Sequence, residues 1–251
     1  MSGTLVIARK ELKQLFTSPI AYVALAMFFV ITGFLFFSLV GVYTTQVLQL
    51  QGTPPSDFNP TRIIFSPLYQ DTSFVLLLLV PVLTMRLVAE EDRAHTMELL
   101  ATSPVTSTAI VLGKYVAALV LYLVLLALSA YMPLSLAVIG RLDWGLLASS
   151  YVGLLLLGGA FLAVGLFAST LNDNQIVAAA IGFAILLLFW ILGFAQQSSG
   201  GQQILSQLSF STHFNNLTSG VVDTQDVLFF LSLAGFFLFL GVLTLESRKW
   251  R

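Results

Sequence analysis

The sequence predicts an all-α integral membrane protein built on six transmembrane helices, and three observations carry that prediction. Hydrophobic residues make up 57% of the 251-residue chain and charged residues 9%, against roughly 45–50% and about 25% in soluble domains. Six apolar stretches reach the length of about 20 residues that a helix needs to cross a hydrocarbon core about 30 Å thick. Each stretch is apolar around the whole helix, so it has no polar face to turn toward water.

The spans are expected at about residues 21–42, 72–89, 115–139, 145–169, 176–195 and 227–245. Helices are required because every backbone amide and carbonyl must find a partner inside its own segment. Pro81 and Pro133 fall within the second and third spans, where the missing amide donor kinks a helix that a membrane bundle still tolerates. The first span follows positive charges, as a signal peptide does, but it is too long for one and no A-x-A-like cleavage site follows; it reads as a retained first helix.

Before it, residues 1–18 carry Leu5, Ala8, Leu12, Leu15 and Phe16 at helical spacing, with Arg9, Lys10, Lys13 and Gln14 on other faces. That pattern predicts an amphipathic helix lying in the membrane interface, its lysines toward anionic head groups, broken by Ser18-Pro19. A soluble N-terminal helix is the alternative.

With the N-terminus inside, nine of the eleven Lys and Arg residues fall on that side and only Arg62 and Arg141 on the other. This bias orients the chain with both termini in the cytoplasm. The outer connections are then 43–71 and 196–226. The second holds Ile204, Leu205, Leu208, Phe210 and Phe214, too apolar for a free linker and too interrupted to span, so short re-entrant or interfacial helices are expected there.

Composition also excludes functions. The absence of cysteine rules out disulfides and thiolate metal sites and leaves the redox compartment open. A net charge of −1 provides no basic field for nucleic acid. The span interiors hold no charge, Arg86 lying close to the inner end of the second span, which disfavours an ion-coupled carrier or channel. His95 and His213 lie on opposite sides and cannot share a metal. Glu90-Glu91-Asp92 reads as a solvated acidic loop rather than a cation site, Gly113-Lys114 lacks the upstream glycine of a phosphate loop, and no acid, base or nucleophile constellation assembles by spacing. Neither a catalytic residue nor a metal site is expected, and an intramembrane enzyme is the least favoured class. In the fourth span, Ser149 and Gly153, then Gly159 and Ala163, allow close helix approach, either within the chain or at a dimer seam.

The inner segment from Arg86 to Lys114 is the strongest local feature. Its charges gather at one end, and residues 92–103 suit a short helix closed by Pro104, with Met97, Leu99 and Leu100 interrupted by His95, Thr96 and Glu98. Together with A-R-K-E-L at Ala8–Leu12, A-V-G-L-F-A-S-T-L-N-D-N-Q-I-V-A at Ala163–Ala178, T-H-F-N-N-L-T-S-G-V-V-D-T-Q-D-V-L-F-F-L-S-L at Thr212–Leu233, and the closing L-E-S-R-K-W-R, it resembles the permease subunits of ABC-2 type ATP-binding cassette exporters, especially the gliding-motility-associated branch. The resemblance covers nearly the whole chain and implies one transmembrane permease domain, 1–251.

It implies further that residues 90–103 form a coupling helix seated in a separate ATPase, with Glu90, Glu91, Asp92, Arg93, His95, Thr96, Glu98, Leu99 and Leu100 at the contact and the turn Asn172, Asp173, Asn174 as a smaller one. An outer helical hairpin between the fifth and sixth spans would carry His213, Phe214, Gly220, Asp223 and Asp226; Ser219 and Gln225 stand where the family often has arginine. The implied partners are two copies of an ABC-type ATPase, a second permease copy or paralogue, membrane lipid and, for the gliding branch, a large extracytoplasmic accessory subunit. ATP and magnesium belong to the ATPase, so no cofactor is expected on this chain, and the bacterial cytoplasmic membrane is the implied location. Alternating access driven by ATPase closure is the implied mechanism; the rival is an ATPase-coupled scaffold for assembly or force transfer.

Overall fold

The computed structural model describes residues 3–49, 59–93, 106–138, 142–198 and 209–248. Among them the chain forms ten α-helices and one π-helical turn, with no strand. In chain order these are α1 (Gly3–Thr17), α2 (Pro19–Gln49), the π turn (Thr61–Phe65), α3 (Ser66–Thr84), α4 (Arg86–Arg93), α5 (Ser107–Ser129), α6 (Tyr131–Ala137), α7 (Trp144–Leu171), α8 (Gln175–Ser198), α9 (Phe210–Thr218) and α10 (Thr224–Arg248).

Six stretches are long and apolar enough to cross a membrane: Pro19–Gln49, Thr61–Glu91, Ser107–Ala137, Trp144–Leu171, Gln175–Gly193 and Thr224–Ser247. All six expected spans are present, and the protein is a multi-pass membrane protein. The largest boundary shifts are on the second span, which begins about a dozen residues before the expected position, and on the third, which begins eight residues earlier. The second shift moves Lys114 from the loop into the third turn of α5, so the expectation of charge-free span interiors is corrected.

Prolines account for one helix break directly. Pro133, in α6, has no amide to donate to Ser129, and the chain re-starts after Ala130 with Leu134 donating to the Ala130 carbonyl at 3.1 Å. The interruption of the second span comes at Met85, one turn after Pro81. There the Thr84 hydroxyl bonds back to the Val80 carbonyl at 2.9 Å, a local competition that bends helices.

Helix α7 is the hub. It packs on α3, α5, α8, α9 and α10, and its core residues Ala160, Phe161, Ala163 and Val164 are fully buried. Small residues let its neighbours close in: a Cβ on Gly158 would fall 2.1 Å from the Tyr122 ring, one on Gly165 2.1 Å from the Thr84 hydroxyl, and one on Gly153 2.9 Å from Leu217. Ser149 and Ala163 are buried in the same way. The small-residue spacing of the fourth span therefore serves packing within the chain. By contrast α2, α8 and α10 turn broad apolar faces outward, including Val30, Phe34, Phe37, Ile191, Phe236 and Phe239, as helices do that meet lipid or another membrane helix.

At one end of the bundle, α9 closes the space between α7, α8 and α10. Phe210, Phe214 and Leu217 are buried, and Phe210 packs against Phe161 and Phe189 at ring distances of 5.1 Å each. This is the short apolar helix expected between the last two spans; the first half of that connection, and with it the second arm of the expected hairpin, lies outside the described residues.

Candidate coupling site

Helix α1 sets the site. Its buried stripe is Ile7, Ala8, Glu11 and Leu15, spaced so that a carboxylate sits in the middle of the apolar face. The stripe packs along α5 at Gly113, where a Cβ would lie 2.8 Å from Ile7 and 3.0 Å from the Thr4 carbonyl. Leu5, Val6 and Phe16 stay exposed. The sequence-derived apolar face thus splits: Ala8 and Leu15 go inward, while Leu5 and Phe16 remain for a membrane interface.

Close packing at Gly113 brings Glu11 to the next residue, Lys114. The Lys114 ammonium is fully buried, 2.9 Å from Glu11 Oε1 and 2.7 Å from Glu91 Oε2, and it also donates to the Leu87 carbonyl. An ammonium has three donors, and three acceptors surround it. The other oxygen of Glu91, Oε1, accepts from Lys10 at 2.6 Å, and Lys10 lies 3.7 Å from Glu11. Two ammonium groups and two carboxylates form a neutral cluster, which is how a low-dielectric site tolerates charge. Burial pulls the Lys10 pKa down, but the hydrogen bond and charge of Glu91, with Glu11 behind it, outweigh burial and hold it above the ordinary lysine value.

This cluster corrects the reading of Glu90-Glu91-Asp92 as a solvated loop. Glu91 is only 6% exposed and belongs to the core. Glu90 is the half-exposed member; its Oε2 accepts from Arg86 Nε at 3.1 Å. Arg86 also donates to the Ser18 hydroxyl at 2.5 Å, tying the base of α4 to the α1–α2 break.

The start of α4 is held from the side. The first amides of a helix have no partner within it, and here those of Val88 and Ala89 donate to Ser169 Oγ of α7 at 3.0 and 3.1 Å. The same hydroxyl donates to the Met85 carbonyl at 2.9 Å. One serine on the fourth span therefore caps both sides of the interruption in the second.

Of the expected contact residues, Arg93 is exposed at the end of α4 and lines one cleft with Asp173, Asn174, Gln175 and Ile176. The turn is pre-formed: Asn172 Oδ1 accepts from the Asn174 amide at 2.9 Å and Asn174 Oδ1 from Ile176 at 3.0 Å, both Asx-type bonds that open α8. Two segments separated by about 80 residues thus share one face. Asp92 lies on α4, and His95, Thr96, Glu98, Leu99 and Leu100 lie outside the described residues.

At the opposite end, His213 and Asp226 are brought together. His213 Nδ1 lies 2.5 Å from Asp226 Oδ1, both side chains are buried, and the imidazole stacks on Phe229 at 4.2 Å. Asn216 Nδ2 donates to the same oxygen at 3.4 Å. The pair ties α9 to the first turn of α10. Gly220 leaves α9 at φ +93°, a conformation glycine adopts without strain, and Asp223 Oδ1 accepts from the Gln225 amide at 3.2 Å to start α10.

Sequence reasoning missed Lys10, Glu11, Arg86, Lys114 and Ser169 as members of the site. Glu11 carried a signal: it lies four residues from both Ile7 and Leu15, on the apolar stripe, which demands a buried cation.

A comparison with curated proteins gives no match. A family model does match, over residues 5–246, and its description is ABC-2 family transporter protein. With six helices long and apolar enough to span a membrane and a match over nearly its whole length, the chain belongs to the ABC-2 family of transporter proteins as a membrane component, a family that implies an ABC-type ATPase on a separate subunit.

Proposed function

We propose that the chain is the permease subunit of an ABC exporter in the bacterial cytoplasmic membrane, working as a dimer with two copies of its ATPase and with both termini cytoplasmic. The observation that supports the coupling face most directly is the cleft shared by Arg93 at the end of α4 and the 173–176 segment. Residues 90–103, of which 90–93 belong to α4, form the main contact, with Asn172, Asp173 and Asn174 as a smaller one. ATP closes the ATPase pair, and closure does work on the membrane part only if the closed pair binds one arrangement of the helices better than the other. The ion cluster gives that difference a path: α4 is bonded to α1 through Glu91 and Lys10, to α5 through Lys114 and to α7 through Ser169.

Placement in the gliding-motility branch, with its accessory subunit and a force-transmitting scaffold role, rests on the resemblance of sequence pieces alone. Uptake of a substrate into inverted vesicles, dependent on ATP, separates transport from scaffolding.

The test of coupling uses surface residues, because Glu91→Ala would disturb the core. Full-length protein carrying Arg93→Glu and Asp173→Lys, captured from native membranes, is expected to retain on the order of a tenth or less of the co-purifying ABC ATPase, as charge reversal at an interface costs roughly 1.4 kcal/mol or more. Undiminished capture, with undiminished ATPase activity of the complex, would sink the assignment of this face.

A further inference from the structure

At the end of the bundle opposite the ion cluster, a second cleft is lined by Asn59, Arg62, Asp143, Ser219 and Gly220 among others. Its walls are fixed to one another. Asn59 Oδ1 accepts from the Thr61 amide at 2.9 Å and starts the π turn that carries Arg62. Thr61 Oγ1 in turn accepts from the Asp143 amide at 2.9 Å, holding the Arg62 wall against the N-terminus of α7. The Ser66 hydroxyl donates to the Thr218 carbonyl at 2.8 Å, which holds the Ser219–Gly220 wall.

Among the described residues the cleft contains one cation and one anion that do not satisfy each other. Arg62 is exposed, and neither it nor Asp143 makes an ion pair within 4.0 Å among the described residues. Asp143 Oδ1 caps α7 by accepting from Gly145 at 3.0 Å and Leu146 at 3.2 Å, which leaves Oδ2 for another donor. Opposite charges held apart in one cleft match a ligand that carries both charges itself.

Depth narrows the ligand. Trp144 follows Asp143, is 59% exposed and begins the membrane-spanning stretch of α7; an exposed indole beside a polar helix cap marks the level of lipid head groups. A quaternary ammonium is usually recognised by an aromatic cage, and no described residue lining this cleft is aromatic. A primary ammonium instead donates hydrogen bonds, which the Asp143 carboxylate accepts.

We propose that this cleft binds the head group of a zwitterionic phospholipid with a primary amine, Arg62 taking the phosphate and Asp143 the ammonium. The site is independent of the coupling face and of what the complex moves.

The experiment is calorimetric titration of the detergent-solubilised full chain with dihexanoyl-phosphatidylethanolamine, dihexanoyl-phosphatidylcholine, dihexanoyl-phosphatidylglycerol and free phosphoethanolamine. The ethanolamine lipid is expected to bind tightest. Asp143→Asn keeps the helix cap, because asparagine caps as well as aspartate, and is expected to weaken the ethanolamine lipid on the order of tenfold, the worth of one charge-assisted hydrogen bond, while leaving the glycerol lipid unchanged. Arg62→Gln is expected to weaken both. Equal binding of all three lipids, unaffected by either substitution, would overturn the site; free phosphoethanolamine binding as tightly as the lipid would overturn its assignment to a lipid.

Discussion

Lys114 Nζ lies 2.7 Å from Glu91 Oε2, with 1% and 8% of the two side chains exposed. This ion contact joins the last turn of α4 to the third turn of α5, and Glu11 and Lys10 complete it from α1. Helix α4, the first element of the proposed coupling face, is therefore anchored in the interior of the protein through Glu91, Glu11 and Lys114, while Lys10 closes the cluster from the solvent side.

Lys114→Met leaves two buried carboxylates with only the half-exposed Lys10 between them. Breaking a buried pair by removing one partner costs about 3–5 kcal/mol. The expected result is a comparable loss of stability in denaturant titration of the detergent-solubilised protein. Neutralising the carboxylates as well, in Lys114→Met with Glu11→Gln and Glu91→Gln, is expected to restore more than half of the loss, since a fully replaced ion pair is close to neutral for stability. A triple variant as unstable as the single one would contradict the electrostatic account.

Ser169→Ala removes the acceptor for the Val88 and Ala89 amides and the donor to Met85. Leaving buried donors unmade costs about 1–3 kcal/mol. The effect is expected to be local: hydrogen exchange at residues 88 and 89 accelerates on the order of tenfold or more, while α3 above Met85 keeps its protection. Unchanged exchange at those two amides would show that the hydroxyl does not hold the interruption.

The Lys10–Glu91 pair predicts an alkaline limit. The Lys10 pKa is raised in the folded protein, so its contribution is fully present below the unfolded lysine value of about 10.4 and is lost as pH rises through the higher folded value. The gap in melting temperature between the protein and its Lys10→Met variant should stay constant from pH 7 to 9 and close only above about pH 10.4. The gap will be small because Lys10 is half exposed and solvent screens it. A gap that closes below pH 9 would place the stabilising charge elsewhere.

The spans were legible because hydropathy is additive along the chain: 20 apolar residues in a row need no knowledge of their neighbours. The short helix α9 was legible for a similar reason, from Phe210 and Phe214 in a connection too apolar to be a free linker. The ion cluster was not, because its members are 103 and 81 positions apart in sequence, and a charge at a span edge looks solvated until the helix that covers it is known. Lys114 moved inside only because α5 begins at Ser107, a boundary set by the Thr106 cap, whose side chain accepts from the Ala109 amide at 3.2 Å. The pairing of His213 with Asp226 was hidden by the turn between them. Sharing of one cleft by Arg93 and the 173–176 segment depends on how α7 returns the chain to that end, which local patterns do not encode.

The separation between Glu11 and Lys114 also imposes an order on biogenesis. At roughly 5–20 residues per second, a ribosome takes about 5–20 s to travel from one to the other. During that interval α1 exists without its cation, and its buried stripe has no helix to lie against. Insertion of the third span is thus the event that fixes the N-terminal helix in place, and a chain stalled or truncated before it would present Glu11 and the Ile7–Leu15 face to quality-control proteases as an unfinished surface.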